Sequence, residues 1–148
     1  MRMVEGGPDP DMQLAEGACH CGRVRFRVRL ADGLRSSHRC DCSLCRMRGA
    51  AVVSAPAGAF EILSGVKMLA EYRFNTGTAR HHFCRHCGIF THHQRRSNPR
   101  EYSVNVACLN GVSPFDFAEL PVTDGRNHPS DGGDGGLAGV LRYEPIRR

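Results

Sequence analysis

The stretch RVRFRVRL at residues 23–30 alternates without a break: Val24, Phe26, Val28 and Leu30 fall on one face, four arginines on the other. Side chains along a strand point to opposite faces with a period of two, so this segment predicts a half-buried strand. AAVVSA (50–55) is a short apolar run before a turn at Pro56–Gly58, which fits a buried strand. MLAEYRF (68–74) and ARHHFC (79–84) flank Asn75-Thr76-Gly77, a hairpin-type turn signal. EYSVNVA (101–107) predicts a further strand, and GVLRYE (139–144) a closing one. CDCSLCRMRG (40–49) is too polar and cysteine-dense for a strand, and reads as a metal-holding turn entering a short helical turn that stops at Gly49. No repeat and no helix of ordinary length is evident. Residues 1–13 are polar and aperiodic, so a flexible N-terminal arm is expected, with a single domain over 14–148 that carries a Gly/Asp-rich loop at 124–136. The expected class is mainly β, with antiparallel sheets and few short helical turns.

The cysteines add a second organising force. Seven of the eight form three clusters: C-x-C at Cys19/Cys21, C-x-C-x-x-C at Cys40/Cys42/Cys45 and C-x-x-C at Cys84/Cys87. The opening MRMVEGGPDPDMQLAEG has no apolar core typical of a secretory signal, so a reducing, cytoplasmic setting is expected, where structural disulfides are rare. Tight clusters separated by long gaps suit metal chelation, and thiolates at this density favour zinc. Seven thiolates divide naturally as four and three. Cys19, Cys21, Cys84 and Cys87 would close a structural zinc site that staples an early segment to a late one. Cys40, Cys42 and Cys45 would form a second site with one open corner, the usual form of a catalytic zinc. Two Zn2+ per chain are therefore expected, and a small Gly-rich chain gains folding energy from the closed one. A histidine (His20, His38, His92 or His93) as fourth ligand of the second site is the competing arrangement. Cys108 stands outside the clusters, after an apolar run, and reads as a buried core thiol.

Composition narrows the partners. The formal charge is +5, and of the 20 basic residues only Lys67 is not arginine. Arginine forks suit carboxylates and phosphates. No run approaches the ~20 apolar residues of a membrane span. The arginines are spread along the chain and aromatics are only 7%, so nucleic acid is not the expected partner.

GACHCGRVRF (17–26), CDCSLCRMRGA (40–50) and FCRHCG (83–88) resemble, in order and spacing, the three cysteine motifs of the glutathione-dependent formaldehyde-activating enzyme family, which includes the centromere protein V domain. THHQRRSNPREYSVNVACL (91–109) is similar to a subset of that family. The resemblance spans about residues 14 to 125. It implies a β-tent fold of zinc-stapled antiparallel sheets. It also implies a structural zinc at Cys19, Cys21, Cys84 and Cys87, and a catalytic zinc at Cys40, Cys42 and Cys45. The activity it implies is carbon–sulfur lyase chemistry: reversible addition of glutathione to formaldehyde, giving S-(hydroxymethyl)glutathione. Arg46, Arg48, Arg95 and Arg96 are candidates to clamp the carboxylates of such a thiol, and His92 or His93 to move its proton. The alternative is a non-catalytic basic zinc module that binds nucleic acid or protein. A purely structural zinc scaffold is a third reading. Cys108 and the loop at 124–136 lie outside the family motifs.

Overall fold

A computed structural model describes residues 2–146. Eleven strands follow one another as β1 (Leu14–Ala18), β2 (Arg25–Arg29), β3 (Arg39–Cys40), β4 (Val52–Pro56), β5 (Phe60–Ser64), β6 (Leu69–Tyr72), β7 (Arg80–Cys84), β8 (Phe90–Gln94), β9 (Glu101–Asn105), β10 (Glu119–Thr123) and β11 (Leu137–Arg142). The single α-helical turn among the described residues, α1 (Cys45–Arg48), ends at Gly49, whose N–H bonds the Cys45 carbonyl at 2.9 Å. Three sheets form, in the orders β1-β2-β5, β11-β10-β3 and β4-β9-β8-β7-β6. All pairings are antiparallel except the short parallel contact of β3 with β10, where Thr123 stands beside Cys40.

The core forms where the alternating face of β2 meets the inner face of the five-stranded sheet. Phe26 and Val28 are fully buried between β1 and β5 and pack with Val53, Val104, Val106 and Phe117. Each such side chain contributes about 1.5–3 kcal/mol on leaving water. On the outer face Arg27 pairs with Glu16 of β1 at 2.9 Å, an exposed pair worth little. A second, smaller core contains Val24 with Cys19 and Cys84, and joins the first sheet to the third. The β6–β7 hairpin turns through Asn75 and Gly77, as the turn signal predicts. Residues 2–13 lie along the body: Val4 N–H reaches the Asp116 carbonyl, Leu34 N–H the Pro10 carbonyl at 2.9 Å, and Met3 and Met12 pack on the core.

Several boundaries differ from the sequence reading. The strand at Glu101–Asn105 gives way to a 3-10 turn over Val106–Cys108, capped by the Asn105 side chain accepting from Ala107 N–H at 3.1 Å. β11 begins two residues earlier than the periodicity suggests, because Leu137 pairs with Thr123 across a bulge. β1, β5, β8 and β10 were not apparent from pattern. Among the described residues no helix is long and apolar enough to cross a membrane.

Candidate metal centres and the cavity between them

The first cluster forms where the turn after β1 meets the turn after β7. Cys19, Cys21, Cys84 and Cys87 bring their four sulfurs within 4.8 Å of one another. The Cys84–Gly88 knuckle closes because Gly88 adopts φ +78°, which lets its N–H bond the Cys84 carbonyl at 2.7 Å. Cys19 and Cys84 are buried, and Val24 N–H donates to Cys19 Sγ at 3.3 Å. Sulfur separations of 3.6 Å (Cys19–Cys21) and 3.7 Å (Cys21–Cys84) match a tetrahedral thiolate cage; ~2.3 Å metal–sulfur bonds imply edges of about 3.8 Å. Burial pushes the Cys19 thiol up to about 11, while the Arg23 backbone N–H draws Cys21 down to about 6.

The second cluster is local. Cys40 ends β3, Cys42 lies in the turn, and Cys45 opens α1; their sulfurs also lie within 4.8 Å of one another. Cys42 N–H donates to Cys40 Sγ at 3.4 Å, and Cys45 N–H to Cys42 Sγ at 3.3 Å. Hydrogen bonds from the Cys40 and Cys45 thiols hold Cys42 well below the usual thiol range, and the same contacts push Cys45 above it. Cys42 is thus the thiol of the trio that most readily carries negative charge, the form that binds metal. Among the described residues no histidine, cysteine or carboxylate joins these three sulfurs within the same distance. His20 is exposed beside the other cluster, and His38 Nδ1 is engaged with the Ser36 carbonyl at 2.7 Å.

The trio opens into a cavity of about 720 Å³. β7 and β8 form one wall, α1 a second, and the segment 123–137 a third. Strand alternation decides which histidines face it. His93 lines the cavity opposite His81 of β7, with ring centroids 4.7 Å apart, and its buried Nδ1 has no partner. His92 points to the other side, its ring tilted against Phe60 with centroids 4.1 Å apart and hydrogen-bonded to Thr91 Oγ1. Burial lowers His81 to about 4 and His92 to about 3, and drives His93 well below the usual imidazole range, so all three stand neutral.

Three of the four candidate arginines are already engaged. Arg48 lies over the Phe90 ring at 3.6 Å, contacts His81 Nδ1 at 3.1 Å and donates to Cys45 Sγ at 3.5 Å. Arg95 donates to Glu101 at 2.6 Å. Arg96 forms a two-bond pair with Asp131, and Arg46 stands exposed at the rim. Sequence reasoning missed His81, although the doublet at 81–82 in a strand facing the doublet at 92–93 was a usable signal. It also missed Gly125, where a Cβ would lie 2.5 Å from Cys40 Sγ and 2.6 Å from Cys42 Cβ. Cys108 is buried, donates to the Phe90 carbonyl at 3.6 Å and belongs to neither cluster.

These features define a small β protein with two cysteine clusters able to hold metal, one enclosed and one facing a cavity. The profile of the glutathione-dependent formaldehyde-activating enzyme family matches residues 14–119. The chain belongs to this family. A Halomonas elongata protein provisionally named a glutathione-dependent formaldehyde-activating enzyme is 33% identical over 82 residues, 50% of this chain and 52% of that one. The chain thus spans about half the length of this curated relative. A crystal structure of a Rhodobacter sphaeroides protein superposes with a TM-score of 0.72 at 53% identity, covering 73% of this chain and 99% of that one.

Proposed function

We propose that the chain is a zinc-dependent carbon–sulfur lyase that reversibly adds a thiol such as glutathione to a small aldehyde such as formaldehyde. The observation that carries this reading is the inequality of the two clusters: four thiols closed on one another, against three that face a cavity. In this reading Cys19, Cys21, Cys84 and Cys87 hold a structural zinc, and Cys40, Cys42 and Cys45 a catalytic one. Zinc in the second site supplies a Lewis acid that favours thiolate over thiol. The family match and the Halomonas elongata relative's name support glutathione and formaldehyde as the reactants.

The chain's own residues hold and orient. In this reading the thiol sulfur sits at the base of the cavity, beside the trio, and Arg46 at the rim offers a cation to a carboxylate. His93 lines the cavity beside the trio and relays the proton the thiol loses. The new carbon–sulfur bond forms as the carbonyl π bond opens, and the oxygen takes up that proton. The reverse reaction returns it. Arg48 donates to Cys45 and is itself held by Phe90 and His81, so it fixes one corner of the trio and offsets its charge.

The test is Cys42→Ser, with Cys21→Ser as the contrast. Metal per chain, melting temperature and adduct formation above the spontaneous rate are measured for each. Cys42→Ser should fall from two metals to one and lose the enzyme-dependent rate while keeping a near-native melt. Cys21→Ser should lose the staple and melt early. An undiminished rate in Cys42→Ser would reject the assignment.

A further inference from the structure

The matched family residues end at 119, and the chain beyond them builds one wall of the cavity. β10 lays Thr123 beside Cys40, and Gly125 N–H donates to Asp41 Oδ1 at 2.8 Å. Asp124 N–H meets the Gly136 carbonyl at 2.8 Å, so the loop leaves and returns at one point. Its tip carries Asp131, which grips Arg96 with both carboxylate oxygens; the Nη1–Oδ2 bond is 3.0 Å. The Arg96 side chain is 21% exposed and that of Asp131 55%. The cation is therefore the seated partner and the carboxylate the solvent-side one.

Arg46 and Arg126 also line the cavity, and two further cavity arginines are differently bound. Arg48 is fixed by an aromatic ring, a histidine and a cysteine, and Arg95 by Glu101 at the start of the next strand of its own sheet. Arg96 alone among these three takes its anion from a loop whose two ends meet. A carboxylate on a guanidinium fork is the geometry that a carboxylate-bearing ligand would itself adopt. Partly exposed ion pairs have little net worth, so one carboxylate can exchange for another.

We infer that Arg96 is a carboxylate-binding residue of this cavity, and that Asp131 occupies it until a thiol bearing a carboxylate displaces it. The cavity thereby selects acidic thiols over neutral ones. This rests on the thiol–aldehyde reading above.

Two measurements separate the inference from that reading. The first is the ratio of kcat/KM with glutathione to kcat/KM with 2-mercaptoethanol, formaldehyde being the common aldehyde. Asp131→Asn should raise this ratio about threefold, Arg96→Gln should lower it about tenfold, and the double variant should match Arg96→Gln. The second is the dissociation constant of S-methylglutathione, which keeps both carboxylates and has no free thiol. It should tighten in Asp131→Asn and weaken in Arg96→Gln by the same factors. If the wild type accelerates neither thiol, the lyase reading fails and the binding measurement alone decides the inference. An unchanged ratio and unchanged binding in both variants would overturn it, as would a loss of binding in Asp131→Asn.

Discussion

Gly125→Ala probes how closely the C-terminal segment is fitted to the cysteine trio. The added Cβ would stand 2.5 Å from Cys40 Sγ, 2.6 Å from Cys42 Cβ and 2.9 Å from Cys42 N. These neighbours are backbone or short side chains, and a metal would fix the sulfurs further, so the segment must move instead. Overpacking of this kind costs about 1–3 kcal/mol. Displacement also removes the Gly125–Asp41 hydrogen bond, worth about 1 kcal/mol. A total near 3 kcal/mol, at about 3 °C per kcal/mol for a chain this size, lowers the melting temperature by roughly 9 °C. The second expected effect is local. In a chelator competition followed by a metal-sensing dye, the trio should release its metal about tenfold faster. The four-cysteine site should release at the wild-type rate. A variant that melts with the wild type and releases both metals unchanged would refute the close approach on which this reasoning stands.

Two further outcomes follow from burial. His92 is drawn to about 3 in the fold, against about 6.5 in the unfolded chain, so the unfolded state takes up a proton first. Its contribution is present above pH ~6.5 and is lost as pH falls toward 3, by about 1.4 kcal/mol per pH unit. Denaturant unfolding at pH 7, 6 and 5 should therefore fall less steeply for His92→Gln than for the wild type, and parallel slopes would contradict the assignment. Burial holds Cys108 up at about 12, so iodoacetamide should leave it unmodified in the native protein and label it after denaturation, as read by mass spectrometry.

Where the alternation rule had a clean apolar face to read, it located the strand: β2 buries Phe26 and Val28 and exposes its arginines. It failed where burial falls on polar groups. β8 reads FTHHQ, and its buried positions include Thr91 and His92, whose polar atoms are satisfied inside the sheet. β1 is interrupted by Gly17, which is small because a Cβ there would lie 2.5 Å from the Phe26 ring. Only the completed packing shows that need. The two cysteine clusters were legible because ligand geometry is written in sequence spacing. The division between His92 and His93 was not, because strand register decides which of two neighbours faces the cavity. Nor were the arginine partners, since Glu101 and Asp131 reach Arg95 and Arg96 only in the fold.

The two thiol clusters differ in how much chain they enclose. One is contained in residues 40–45, while the other joins Cys19 to Cys87. Closing the longer loop costs an unfolded chain about 2 kcal/mol more entropy than closing the shorter. The sulfurs of residues 40–45 can therefore come together as soon as that hexamer is free. The distant four sulfurs come together only as the sheets meet, so the local trio can assemble before the long-range cluster.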